Sequence, residues 1–227
     1  MTIDTLQVMW IDADRRERHR VGSLRRDGGT FRFAYDDLTT AIEHGFAHLP
    51  EFPASSREYA SDRLFATFAD RLPDPRRSDR GRMVAELGLE EPADDFDLLA
   101  RSGGTLATDR IELAEHREVG DRFERPLTFQ VRGTQYNPTP ADQPLVPGEV
   151  LTVQCDPRNE YDEYACELHR GDGLRVGFVP KSYAEVVAAA VHAGLPLRVV
   201  LLHSILLPRQ QPPTGSEPTW IAEIRAV

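Results

Sequence analysis

The sequence predicts an α+β N-terminal domain followed by a small, mostly-β barrel domain carrying one helix. Three observations lead there. A strand pair followed by helical patterns fills the first half, a charged aperiodic stretch lies between Leu113 and Pro126, and strand-like runs bounded by Pro, Gly and Asp fill the second half. The expected boundaries are residues 1–112 for the first domain, 113–125 for a linker and 126–227 for the second domain.

In the first half, VGSLRRDGGTFRFAY (Val21 to Tyr35) alternates Phe31, Phe33 and Tyr35 after a DGG turn, which predicts a hairpin. SDRLFATFADRLPD places Leu64, Phe65, Phe68 and Leu72 at helical spacing, with Ser61 as a cap and Pro73 as a stop. Two shorter helices are expected in SDRGRMVAELG (Met83, Val84, Leu87) and PADDFDLLARSGG (Phe96, Leu99), each closed by glycine. In the second half, LTFQVRG, EVLTVQC, YACELHR, LRVGFVP and LRVVLLHSILL read as strands. One helix interrupts them, with Ser182 and Glu185 as a capping box and Tyr183, Val186, Val187, Ala190 and Val191 on one face.

Length and charge bound the function. The chain has 227 residues, enough for two small cores, with 27 basic and 37 acidic residues and a net charge of −10. Neither half is a basic arm, since residues 1–125 hold 19 basic and 26 acidic residues. Any nucleic-acid contact is therefore local rather than driven by a global field. No run of eighteen apolar residues occurs, and MTIDTLQVMWIDADRRERHR lacks an apolar stretch behind a basic start. A soluble, cytoplasmic protein with no membrane partner is expected. Cys155 and Cys166 cannot build a disulfide framework or a paired zinc motif, and are expected as reduced strand residues.

Enzymatic motifs are absent. Lys181 is the single lysine and lacks the glycine that precedes a P-loop lysine, so no phosphate-cradling loop can be assembled around it. His44 and His48 stand four apart, yet no H-E-x-x-H pattern or third ligand accompanies them in sequence, which favours a solvated pair. Ser102 in ARSGGT reads as a helix C-terminus, and no G-x-S-x-G elbow occurs. No catalytic residue, cofactor or metal is expected.

Two family resemblances appear in these residues. VRGTQY together with CDPRNEYDEYACELHRGDGLRVGFVPKSYAEVVAAAVHAG resembles a HIRAN domain over about 75 residues, Phe129 to roughly Leu202. The resemblance implies an OB-like barrel that holds the 3′ end of single-stranded DNA. It implies a nucleic-acid-binding set of Gln135, Tyr136, Asn159, Tyr161, Asp162, Phe178 and Lys181. In it, Tyr161 stacks on or braces a base, Tyr136 supplies another aromatic of the pocket, and Asp162 accepts a hydrogen bond from a terminal 3′-hydroxyl. Gln135 stands where the DNA-binding members carry arginine, and Phe178 where they carry histidine, which implies weaker affinity or a different ligand. The alternative reading of Asn159, Tyr161 and Asp162 is a turn between two strands.

VGSLRRDGGTFRFAYDDL, HLPEFP, SDRLFATFADRLPDPRRSDR and FDLLARSGG resemble the first N-terminal subdomain of HipA-like kinases and its free-standing relatives of the HipS type. Coverage is about 95 residues, roughly Met9 to Gly104, with SGGTLATDR departing from the family's loop. The resemblance implies a non-enzymatic accessory or antitoxin-like protein of a HipA-type toxin–antitoxin system. Its N-terminal domain would dock on a separately encoded HipA-like kinase core through Trp10, Leu64, Phe65 and Phe68, unless those residues serve the domain's own core. The alternative function is a stand-alone single-stranded DNA 3′-end-binding protein in repair or defence.

Overall fold

A computed structural model describes residues 3–14, 17–54, 57–90, 92–160, 162–205 and 219–227. The chain divides into two compact units, Met1–His116 and Arg117–Val227. Among the described residues no helix is long and apolar enough to cross a membrane.

The first unit is built on a five-stranded antiparallel sheet. Its strands are β1 (Thr5–Ile11), β2 (Arg18–Asp27), β3 (Thr30–Tyr35), β4 (Tyr59–Ser61) and β5 (Ile111–Glu115), in the order β4-β3-β2-β1-β5. The expected hairpin is β2–β3, paired from Gly22↔Tyr35 to Asp27↔Thr30. Its two loop residues, Gly28 and Gly29, both have positive φ (53° and 90°), which lets the turn follow the strand twist. Strands β1 and β5 are not legible as strands in the sequence. The helices are α1 (Thr39–Glu43), α2 (Ala66–Ala69), α3 (Arg80–Glu86) and α4 (Asp95–Ser102). Asp94 caps α4 by accepting from the Phe96 N–H at 2.9 Å, and Gly103 ends it at φ 74°.

The core of this unit is aromatic. Phe33, Phe52, Phe68 and Phe96 are fully buried, and Phe33 packs on Phe52 at 4.3 Å and on Phe68 at 5.6 Å between ring centroids. Each such side chain stabilises the fold by about 1.5–3 kcal/mol through burial. The Tyr35 hydroxyl donates to the Phe52 carbonyl and accepts from the Leu49 N–H, both at 2.8 Å, which fixes the HLPEFP segment over the sheet. The helix expected from Ser61 is much shorter than its pattern. Ser61 pairs with Phe31 in the sheet, so the backbone there is committed to β4. Helix begins only after Phe65, and the Glu51 carboxylate accepts from the Ala66 and Thr67 N–H groups at 3.2 and 2.8 Å.

The segment expected as a linker begins as a strand. Leu113, Ala114 and Glu115 lie in β5, fully buried against β1, and Glu112 beside them pairs with Arg18 at 2.8 Å. In the second unit Arg117 is buried, donating to the Arg125 and Pro126 carbonyls at 3.0 and 2.9 Å, and Phe123 is 1 % exposed. High charge density in this stretch thus reflects ion-paired and hydrogen-bonded groups. We propose that the two units fold independently. Cleavage or gene dissection between His116 and Arg117 is expected to yield two soluble fragments, each with a cooperative thermal transition. Loss of cooperativity in both fragments would contradict this.

The second unit is a curled six-stranded antiparallel sheet. Its strands are β6 (Leu127–Gln130), β7 (Val150–Cys155), β8 (Cys166–His169), β9 (Arg175–Phe178), β10 (Leu197–Ile205) and β11 (Thr219–Ala226), in the order β6-β11-β10-β7-β8-β9. Strand β11 is not among the strands expected from the sequence. It pairs with β10 on one side and β6 on the other. The helix α5 (Lys181–His192) starts directly after Pro180 and buries Tyr183, Ala184, Val186, Val187, Ala188 and Ala190. The expected capping box is not formed, because Pro180 occupies the cap position and Ser182 lies inside the first turn.

Candidate nucleic-acid interface

The two edge strands of the six-stranded sheet meet just beyond the end of regular pairing. Arg132, shortly after β6, forms a bridge with Phe178 of β9, through Arg132 N–H to Phe178 O (2.9 Å) and Phe178 N–H to Arg132 O (2.8 Å). This contact closes the sheet into a barrel. Closure needs glycine at position 177, where a Cβ would lie 2.5 Å from the Arg132 carbonyl oxygen and 2.7 Å from Val131 Cγ1.

Immediately after the bridge the chain turns outward. Gly133 adopts φ 75° over the Phe178 ring, and a short 3-10 turn (Thr134–Tyr136) follows. Asn137 locks the turn. Its amide donates to Gly133 O at 2.7 Å and its carbonyl accepts from Arg175 Nε at 2.8 Å. The result is that Tyr136 projects with 76 % of its surface exposed and Gln135 is exposed beside it. An aromatic held in the open on a hydrogen-bonded turn offers a base a stacking face with little ordering left to do.

Phe178 is half-buried, and the Arg175 guanidinium lies 5.2 Å from its ring centroid. Arg175 also pairs with Glu167 at 2.6 Å. Burial works to raise the Glu167 carboxyl, but hydrogen bonds from Arg175 and His169 outweigh it and hold the group below its ordinary value. Arg175 is therefore engaged within the protein, whereas Lys181 and Arg158 are exposed.

Asn159 and Asp162 lie in the connection between β7 and β8. Asn159 Oδ1 accepts from the Asp162 N–H at 3.2 Å, and Asp162 Oδ1 accepts from the Tyr164 N–H at 3.0 Å. Tyr161 lies outside the described residues. Both side chains thus hydrogen-bond to the local backbone, and the Asp162 bond fixes one of its two carboxylate oxygens. Register brings this turn to the same end as the others. The Val179 N–H donates to Cys166 O at 2.9 Å, so the start of β8 abuts the end of β9, where Phe178 meets Arg132 and α5 begins at Lys181. The turn is acidic. Glu163 and, after it, Glu185 push the Tyr164 hydroxyl above its ordinary value. Such a surface disfavours phosphate close to Asp162 and favours contacts to bases or sugar hydroxyls.

Cys155 and Cys166 are free thiols placed directly opposite one another on β7 and β8. The hydrogen bond with Cys166 lowers the Cys155 thiol, while that same bond and then burial raise Cys166. Cys166 also has the Tyr164 carbonyl at 3.3 Å as an acceptor for its proton. With substoichiometric iodoacetamide, Cys155 is expected to label first, its rate rising at a lower pH than for an ordinary thiol because its thiolate forms sooner. Peptide mapping showing equal labelling, or Cys166 first, would contradict this.

In the first unit, Phe68 is fully buried and Phe65 is 8 % exposed, both inside the aromatic core, with Leu64 and Trp10 half-buried against it. Phe65 and Phe68 are therefore occupied by their own domain rather than presented to a partner. His44 and His48 are not the solvated pair expected from the sequence. The His48 ring packs edge-on against Tyr35 at 5.0 Å, and His44 instead meets His19, 3.1 Å away between ring nitrogens. No helix links residues 44 and 48, because α1 ends at Glu43 and Gly45 turns the chain at φ 95°.

A HipA N-terminal domain model matches residues 15–107, and a HIRAN domain model matches residues 126–198. No curated protein matches the chain. Among solved structures, the HIRAN domain of human HLTF is 20 % identical, with a TM-score of 0.33, over 44 % of this chain and 75 % of that one. A protein from Lactobacillus plantarum is 17 % identical, with a TM-score of 0.35, over 44 % of this chain and 89 % of that one. In this order, then, the chain carries a HipA N-terminal domain followed by a HIRAN domain.

Proposed function

We propose that this chain is a non-enzymatic protein that holds a nucleic-acid end at the closed end of its second unit and docks through its first unit on a separately encoded HipA-like kinase core. The observation that carries the nucleic-acid part is the HIRAN match over 126–198 coinciding with an exposed Tyr136 on the hydrogen-bonded turn that follows the Arg132–Phe178 bridge, with Lys181 and Asp162 at the same barrel end. Gln135 and the engaged Arg175 leave little charge for phosphates, so recognition rests on stacking and on the terminal hydroxyl. The HipA N-terminal match over residues 15–107 supports the docking part.

A second reading, a stand-alone single-stranded DNA 3′-end binder, is favoured by one observation. Phe65 and Phe68 are consumed by the core, which leaves Trp10 and Leu64 as the half-buried remainder of the expected docking strip. Affinity purification from the native operon, with nuclease treatment before and after capture, separates the two. A kinase-core protein retained after nuclease supports docking. Recovery of nucleic acid alone supports the stand-alone reading.

A further inference from the structure

Four side chains from three separate segments converge at one corner of the first unit. Asp12 follows β1, Glu17 precedes β2, His19 lies in β2, and His44 follows α1. Each offers one ligand atom, and the four atoms lie within 4.8 Å of one another. His44 Nδ1 stands 3.1 Å from His19 Nε2, His19 Nε2 is 3.6 Å from Asp12 Oδ2, and His44 Nδ1 is 4.0 Å from both Asp12 Oδ2 and Glu17 Oε2. A tetrahedral ion with bonds of about 2.0–2.1 Å sets its ligand atoms about 3.3–3.4 Å apart. The four edges of 3.1–4.0 Å bracket that value and need shifts of tenths of an ångström, and the remaining two, both to Glu17 and within 4.8 Å, close by rotation of its exposed side chain.

We propose that Asp12, Glu17, His19 and His44 bind one divalent transition-metal ion of the zinc type in a four-coordinate site. The donor set selects the class of ion. Two imidazole nitrogens with two carboxylate oxygens suit zinc and its neighbours, whereas calcium and magnesium require six or more oxygens. The backbone prepares the site. The Asp12 N–H donates to Glu17 O at 3.0 Å, and the rungs Trp10↔His19 and Ile11↔Arg18 fix the hairpin from which three of the ligands rise. Asp12 Oδ1 accepts from the Asp14 N–H at 2.9 Å, which turns Oδ2 toward the histidines, an outer contact of the kind that orients metal ligands.

Access is one-sided. The Asp12 and His19 side chains are 4 % and 11 % exposed, while those of His44 and Glu17 are 25 % and 43 % exposed and form the entrance. Four protein donors leave no open coordination position, so the ion acts as a structural staple between the hairpin tip and the end of α1. His44 lies 25 residues from His19 in sequence, so their meeting leaves no local spacing pattern of the kind that His44 and His48 display.

The test uses the full chain freed of metal by chelation. Calorimetric titration with Zn²⁺ is expected to show one ion per chain, and at a hundredfold excess over the dissociation constant the first unit's melting temperature should rise by roughly 10 °C or more. Co²⁺ should give the intense visible bands of four-coordinate cobalt and quench Trp10, whose ring centroid is 5.7 Å from that of His19. His44→Gln, at the exposed side, should weaken binding by more than the roughly 10–100-fold that loss of an outer partner costs, with the circular dichroism spectrum unchanged. Glu17→Gln provides a second exposed variant should His44→Gln not fold, with the same expected direction. Zinc binding equal in wild type and a His44→Gln/Glu17→Gln double variant would overturn the assignment. A weak, six-coordinate cobalt spectrum would equally overturn it.

Discussion

Gly177→Ala is expected to destabilise the second unit by about 2–5 kcal/mol, the sum of an overpacking cost and of the loss of one or both bridge hydrogen bonds. The new Cβ would stand 2.5 Å from the Arg132 carbonyl oxygen and 2.7 Å from Val131 Cγ1. A side chain such as Val131 can rotate, but the carbonyl belongs to the backbone and can retreat only by moving the Arg132–Phe178 bridge. Overpacking of this kind costs about 1–3 kcal/mol. Weakening the two reciprocal hydrogen bonds of the bridge, at 2.9 and 2.8 Å, adds about 1 kcal/mol for each bond lost. Gly171→Ala is the control, since a Cβ at that position would meet nothing within 4 Å. It should change stability by less than about 0.5 kcal/mol. Denaturant unfolding of the second unit checks both, and an unchanged midpoint for Gly177→Ala would show that the barrel closes without this contact.

Tyr136→Ala is expected to weaken single-stranded DNA binding by about 1–3 kcal/mol, roughly 5–150-fold, with the fold unchanged. The ring is 76 % exposed, so its removal leaves the barrel core untouched, while the turn beneath it is held by Gly133 and Asn137. Asp162 acts differently. Its Oδ1 already accepts the Tyr164 N–H at 3.0 Å, and a carboxylate oxygen retains further lone-pair capacity for a sugar hydroxyl. Asp162→Ala should erase discrimination between 3′-hydroxyl and 3′-phosphate ends but also loosen the turn. Asp162→Asn separates the effects, because it keeps an acceptor for Tyr164 and removes the charge that repels phosphate. For this variant the expected result is a smaller preference for the hydroxyl end with an intact turn. A full preference retained by Asp162→Asn would mean that charge at this position plays no part.

The parts of this architecture that are legible in sequence are those with local causes. The β2–β3 hairpin is announced by DGG and by Phe31, Phe33 and Tyr35, and α4 by Asp94 and Gly103 at its ends. The face of α5 follows from the spacing of Tyr183, Val186, Val187 and Ala190. What escapes depends on partners remote in sequence. Strand β5 carries Glu112 and Glu115, and Glu112 is stabilised by Arg18, 94 positions away. The Ser61 pattern is periodic, but pairing with Phe31 keeps the backbone extended there. The candidate site divides the same way. Tyr136, Phe178 and Lys181 stand in recognisable motifs, whereas the tie between Asn137 and Arg175 that orders the turn, and the meeting of His44 with His19, arise only on folding.

The nucleic-acid reading stands or falls on the end chemistry of the ligand. A fluorescence anisotropy titration at low salt, comparing one single-stranded DNA bearing a free 3′-hydroxyl with the same strand bearing a 3′-phosphate, tests it most directly. The account predicts tighter binding of the hydroxyl-terminated strand, with a shallow salt dependence set by roughly one or two phosphates near Lys181 and Arg158. Equal binding of the two strands, or binding of neither, would contradict it and leave Asn159 and Asp162 as the builders of a turn.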